Sequence, residues 1–210
     1  YTNIFGRVFY EPDIDPIFIK LEEQSEALFE LKKEGVIKNI GMSNETPWGI
    51  MSFQNILSKM DSRINFLQNE FSFLNRDFER SCSEICLREN IKLISYSPLA
   101  FGLLTGKYLN DGNKKNDKRL FKHSKQSRRY NTLRKKEISA YYINFCKNEN
   151  VDPIHTAIKY GLTKSFLQSV IIGVKNLSQL NHIINGNYVN LSKNKIDKIE
   201  KRIYKLLYEY

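Results

Sequence analysis

Residues 34–58, EGVIKNIGMSNETPWGIMSFQNILS, decide the fold. Val36-Ile37-Lys38-Asn39-Ile40-Gly41-Met42 reads as a short buried strand. Asn44-Glu45-Thr46-Pro47 then reads as a helix start, with Thr46 as N-cap and Pro47 at the first helical position. Ile50, Phe53, Ile56 and Leu57 follow at helical spacing. A strand feeding directly into a helix is half of a βα crossover. The stretch before it, from Ile17 to Glu34, carries Leu21, Leu28, Phe29 and Leu31 near helical spacing. Gly35 stops it after Lys32, Lys33 and Glu34, as a helix C-terminus would.

The same alternation runs outward to the end of the chain. A second strand is expected over Ile64 to Phe71 and a helix over about 76–89. Ile91 to Tyr96 reads as a third strand, ended by Ser97-Pro98. Helices follow at about 131–149 and 153–164, the second opened by Asp152-Pro153. Ser169 to Gly173 reads as a fourth strand, Leu177 to Ile184 as a short helix. The tail, Ser192 to Leu207, places Ile196, Ile199, Ile203, Leu206 and Leu207 at helical spacing. Short strands joined by helices mean parallel βαβ units in an α/β fold. On pattern alone two architectures compete, a small doubly wound sheet and half of an eight-stranded (βα) barrel. A complete barrel takes about 250 residues, and these 210 yield four strands.

Composition narrows the class further. Hydrophobic residues make up 41% and aromatic residues 12%, enough for a packed core and too much for a disordered chain. No apolar run approaches the length of a membrane span, and Tyr1 to Tyr10 show no basic-then-apolar leader. The chain does not open on Met and is expected to be a piece of something longer. The cysteines are Cys82, Cys86 and Cys146, with no CxxC pair, which points to buried thiols in a reducing compartment, the cytoplasm. The histidines are His123, His155 and His182, far from Cys82 and Cys86 in sequence, so no metal site is expected, and His123 and His155 read as surface residues.

The net charge of +10 is local. From Lys114 to Lys136 there are eleven basic residues and one acid, Asp117, so the rest of the chain is neutral on balance. A basic loop insertion at about 109–130 on a neutral body points to a local anionic ligand or to a solvated insertion. It argues against a nucleic-acid-binding protein, which spreads its cations over a face.

Ligands of parallel α/β folds sit at the carboxyl ends of strands. There the sequence offers Ser43 and Asn44, then Gln68 and Asn69, then Tyr96, Ser97, Pro98 and Leu99, then Gly173, Val174 and Lys175. No strand end carries Asp, Glu or His as its first polar residue. The set lacks a general base, a nucleophile and metal ligands. Ser, Asn and Gln hydrogen-bond a carboxamide, a tyrosine face stacks on a planar ring, and glycine with lysine suits a phosphate. Each residue also has a plain reading: Ser43-Asn44 as a turn before the helix, Tyr96 as a core aromatic, Gly173 as a strand-end turn, Lys175 as a solvated cation.

At these residues the sequence resembles the aldo-keto reductases, NADPH-dependent (βα)₈-barrel oxidoreductases. The matching stretches are ELKKEGVIKNIGMSNET, FLQNEFSFLNR, ISYSPLAFGLLTGKY and VIIGVKNLSQL, over about residues 25–185. YTNIFGR near the start looks like the loop after barrel strand four in the subgroup related to the potassium-channel β-subunits. The resemblance implies the C-terminal half of a TIM barrel, strands five to eight with their helices, as a single partial domain over 1–210. It implies that Ser43, Asn44 and Gln68 hold the nicotinamide carboxamide of NADPH and that Tyr96 stacks on the ring. Ser97, Leu99, Ala100 and Lys107 would contact pyrophosphate and ribose, with the basic loop folding over them. Gly173, Lys175 and Gln179 would surround the adenosine 2′-phosphate. The family's adenine-binding Glu and Asn, third and fourth after Gln179, are here His182 and Ile183.

The family's catalytic Asp, Tyr, Lys and His lie on its first four strands, and none has a counterpart in this sequence. The Tyr gives the carbonyl its proton, so without it hydride delivery has no general acid. The implied function is reduction of a small aldehyde or ketone by a longer protein of which these residues are the cofactor half. The alternative is a noncatalytic protein that binds a nicotinamide cofactor or a partner, as channel β-subunits do. Half a barrel exposes strand edges, so self-association of the isolated 210 residues is expected.

Overall fold

The computed structural model describes residues 19–109, 120, 127–186, 188 and 191–209. The elements are α1 (Leu21–Lys33), β1 (Ile40–Ser43), α2 (Pro47–Ser58), β2 (Ile64–Glu70), α3 (Asp77–Ser81), α4 (Ser83–Arg88) and β3 (Lys92–Tyr96). A broken 3₁₀ segment, Ala100–Thr105, follows. Then come α5 (Leu133–Asn148), α6 (Pro153–Leu162), β4 (Leu167–Val170), α7 (Leu177–Ile184) and α8 (Lys193–Tyr208). The α/β expectation holds. The strands form a parallel sheet in the order β1-β2-β3-β4. The order is strictly sequential, without the reversal that marks a doubly wound sheet. Among the described residues no helix is long and apolar enough to cross a membrane.

Several boundaries differ from the sequence reading, three of them with a local consequence. The first strand starts at Ile40, not Val36. Gly35 is left-handed at φ 75° and the Val36 and Ile37 N–H groups turn back to the Leu31 carbonyl at 3.0 and 3.3 Å, so the helix cap consumes the start of the expected strand. The helix expected over 76–89 breaks at Cys82, whose φ is −124°. Ser81 and Ser83 back-bond to the carbonyls of Asp77 and Glu79, at 2.8 and 2.6 Å, which bends a helix. The fourth strand runs 167–170 rather than 169–173, so Gly173 lies three residues beyond its end.

The chain divides into two compact units. The first contains the described residues through Glu70, then Asp77–Ile94 and Ser165–Gln168. The Thr46 hydroxyl accepts from the Gly49 N–H at 3.0 Å, and α2 buries Ile50, Phe53 and Leu57. The Gln54 side chain accepts from the buried Ile64 N–H at 3.0 Å, which satisfies the first donor of β2. β1 and β2 pair Gly41 with Phe66, Met42 with Leu67 and Ser43 with Gln68. The register slips between Ile40 and Gly41, and the Asn65 side chain accepts from the Ile40 N–H at 3.0 Å there.

The second unit contains Phe71–Arg76, Ser95–Lys164 and the described residues from Ser169 on. Its core is an aromatic stack in which the Phe73 and Tyr160 rings lie 3.8 Å apart and Phe71 packs on Tyr160 at 5.4 Å. α8 adds buried Ile196, Ile199 and Ile203. Glu200 holds two inward cations, Arg76 at 2.7 Å and Lys164 at 2.5 Å. Most of the basic loop expected over 109–130 lies outside the described residues.

Candidate functional site

In the first unit the parallel register makes Ser43 and Gln68 neighbours at the carboxyl ends of β1 and β2. The Ser43 hydroxyl donates to the Gln68 backbone carbonyl at 3.1 Å, and the Asn44 side-chain amide donates to the Ser43 oxygen at 3.0 Å. The Asn44 N–H reaches the Gln68 carbonyl at 3.1 Å and the Asn69 side chain at 3.2 Å. Gln68 itself is exposed. Three sequence-predicted residues therefore form one hydrogen-bonded group, with amide donors and acceptors of the kind a carboxamide needs.

Behind this group Glu45 is buried, 6% exposed. Burial raises its carboxyl above the usual range, against a hydrogen bond from the Thr46 N–H that lowers it. Sequence spacing did not single out Glu45, since it reads as one more polar residue in a turn.

In the second unit β3 ends at Tyr96, half-buried, whose carbonyl accepts from the Phe71 N–H at 3.3 Å. The chain then turns sharply. Ser97, Ala100 and Phe101 all have left-handed backbone, at φ 57°, 48° and 56°, and Gly102 follows at φ 91°. The Ala100 N–H donates to the Ser97 carbonyl at 2.9 Å and the Gly102 N–H to the Leu99 carbonyl at 2.8 Å. Tyr108 latches the turn: its hydroxyl donates to the Phe101 carbonyl at 2.9 Å and accepts from the Leu120 N–H at 3.1 Å. Lys107 lies across Gly102. A Cβ at Gly102 would stand 2.4 Å from the Lys107 Cε and 2.5 Å from its Nζ. The ammonium group sits 5.0 Å from the Tyr108 ring centre. Tyr108 and Gly102, absent from the sequence-predicted set, thus orient Lys107. The FGLLTGKY run, residues 101–108, was the signal for them.

Gly173, Lys175 and Gln179 are all exposed. Among the described residues nothing lies within 4 Å of a Cβ built on Gly173. Asn176 caps α7, accepting from the Gln179 N–H at 2.9 Å, and the Gln179 side-chain oxygen accepts from the Lys175 N–H at 2.9 Å. The Gln179 oxygen is therefore used within the N-terminal turn of α7, on the N–H just before the cap. The helix N-terminus with Lys175 beside it forms an anion-compatible end.

Backbone strain separates these turns from ordinary ones. Seven non-glycine residues have positive φ among the described residues. Asp61, Asn90 and Asn150 follow α2, α4 and α5, where a left-handed cap is common. The other four, Asn44, Ser97, Ala100 and Phe101, follow β1 and β3. Such residues cost on the order of 1 kcal/mol each and gather where a ligand is gripped.

A family model described as Aldo/keto reductase family matches residues 7–203. Protein tas of Escherichia coli (strain K12) is 34% identical over 200 residues, 95% of this chain and 57% of its own length. An aldo-keto reductase of Babesia bovis is 30% identical over 213 residues, 98% of this chain and 74% of its own. The NADH-specific methylglyoxal reductase of Escherichia coli (strain K12) is 26% identical over 182 residues, 85% of this chain and 52% of its own. The chain spans little more than half the length of Protein tas. Members of the matched family generally use nicotinamide cofactors, and the strained strand ends and amide donors fit such a group. On this match, and on the parallel α/β sheet that carries it, the chain belongs to the aldo/keto reductase family.

Proposed function

We propose that this chain is the cofactor-holding half of an NADPH-dependent aldo-keto reductase, strands five to eight of a (βα)₈ barrel. The observation that carries the reading is the left-handed backbone after β1 and β3, which falls on Asn44, Ser97 and Ala100, residues expected to grip the cofactor. Strictly sequential strand order supports the barrel half, because crossovers of one hand in one direction keep the helices on one face of the sheet.

Ser43, Asn44 and Gln68 hold the carboxamide and Tyr96 lies under the ring. Ser97, Leu99, Ala100 and Lys107 take the pyrophosphate and ribose. Gly173, Lys175 and Gln179 take the 2′-phosphate at the start of α7. When bound, NADPH supplies the hydride that reduces an aldehyde or ketone to an alcohol. This chain's own residues bind and orient. The catalytic Asp, Tyr, Lys and His set of the family has no expected counterpart among them, so the 210 residues alone should not turn over. Three buried thiols with no disulfide support a reducing compartment, the cytoplasm.

The test is a fluorescence titration with NADPH and with NADH in parallel. We expect saturable NADPH binding, weaker NADH binding, and no aldehyde reduction. Failure of both cofactors to bind would overturn the reading. Equal affinities would remove the role of Lys175. Among the described residues β1 and β4 are the edge strands, so the isolated chain should self-associate through them, and a monodisperse monomer in sedimentation would exclude that.

A further inference from the structure

We propose that Asp152, His155 and His182 form a binding site for a divalent transition-metal ion of the zinc class. One ligand atom from each residue lies within 4.8 Å of the other two. The His182 Nε2 is 3.0 Å from Asp152 Oδ2, and the His155 Nδ1 is 3.6 Å from Asp152 Oδ1. Donors bound at about 2.0–2.2 Å around a tetrahedral ion stand roughly 3.3 Å apart. These separations run to the two different Asp152 oxygens; with one atom from each residue the three lie within 4.8 Å, and movement of the exposed His182 ring would close the remainder.

The tautomer of His155 is set by its surroundings. Its Nε2 lies 2.8 Å from the His182 backbone carbonyl. A carbonyl only accepts, so Nε2 carries the proton and Nδ1 presents its lone pair toward Asp152. A ring nitrogen donating to a backbone carbonyl while the other ligates is the usual support of a metal-binding histidine. The ring is also pinned. It stacks on His182 with centroids 4.6 Å apart, Tyr188 packs on it at 5.0 Å, and a Cβ at Gly186 would stand 2.5 Å from its Nε2. The His155 side chain is 9% exposed and that of His182 is 45% exposed, so one ligand is fixed and the other faces the entry path.

The donor set fixes the class of ion. Two imidazoles and one carboxylate suit Zn²⁺ and its first-row neighbours rather than Mg²⁺ or Ca²⁺, which take oxygen. Three protein ligands leave a position open to water or to a ligand group. Asp152 also caps α6, accepting from the His155 N–H at 2.8 Å, and its negative charge offsets the positive end of that helix for an incoming cation. His182 stands where the resemblance puts an adenine contact, so the site is tested with the metal alone, without cofactor.

The experiment is equilibrium dialysis of the purified protein against Zn²⁺ alone, with three variants. Wild type should bind one Zn²⁺ per chain. His182→Ala should weaken that site at least tenfold. Asp152→Asn keeps a capping oxygen and should weaken it as well. His123→Ala should bind like wild type. Circular dichroism of each variant without metal checks that the fold is kept. Absence of Zn²⁺ from wild type would overturn the proposal. So would one Zn²⁺ retained with equal affinity by His182→Ala and Asp152→Asn.

Discussion

Ser43 and Gln68 stand opposite each other in the β1–β2 register, joined by the Ser43 hydroxyl and the Gln68 backbone carbonyl at 3.1 Å. The bond uses the backbone of Gln68 and leaves its exposed amide for a ligand. Gln68→Ala should therefore lower nicotinamide-cofactor affinity by about 3- to 10-fold, the worth of one or two net hydrogen bonds. The fold should be untouched, since the ladder contact is kept. The check is a cofactor titration beside a thermal melt. A lowered melting temperature with unchanged affinity would make Gln68 structural.

Gly102 is required for two reasons at once. Its φ of 91° is left-handed, and Lys107 lies where a Cβ would go. Gly102→Ala should cost about 2 kcal/mol, a fall of roughly 4–8 °C in Tm. It should also push Lys107 off its seat and weaken cofactor binding. Gly173→Ala serves as contrast, because none of the described residues comes within 4 Å of a Cβ there. Calorimetry of the two variants separates strain from the general effect of a methyl group.

The βα alternation was legible because capping chemistry is local. Thr46, Asp152 and Ser192 each accept from the N–H three residues on, as their positions before Pro47, Pro153 and Lys193 imply. Strand-end site residues were legible because a parallel sheet has one functional rim. What the sequence hid depends on distant partners or on backbone angles. The break at Cys82 comes from serine back-bonding, the latch from Tyr108 to Leu120 crosses twelve residues, and Asp152 and His182 meet across thirty. Glu45 looked like turn filler until its burial was known.

The thiols should be inert in the folded protein. Burial raises Cys82, pushes Cys86 up to about 12 and Cys146 up to about 11. Only the thiolate is nucleophilic, and each side chain is nearly inaccessible as well. Iodoacetamide at mildly alkaline pH should leave all three unmodified over a time in which the urea-unfolded chain is fully alkylated. Mass spectrometry counts the adducts. Rapid labelling of one cysteine in the native state would show that its segment opens.

Glu45 should make stability depend on pH with a definite sign. Its carboxyl is raised from an ordinary value of 4.5 by burial, so the folded state holds the proton to higher pH than the unfolded state. Between the two values the folded state binds more protons, and stability falls as pH rises through that window. Above it the folded chain carries a buried carboxylate whose desolvation is only partly offset by the Thr46 N–H. Glu45→Gln keeps an oxygen for that N–H and removes the charge. The variant should be more stable than wild type near neutrality, and the difference should vanish as pH falls below 4.5. Urea unfolding at both pH values measures it. A gain that persists in acid would assign the effect to packing, and a loss near neutrality would mean that the Glu45 carboxylate is held by a stronger partner than the Thr46 amide.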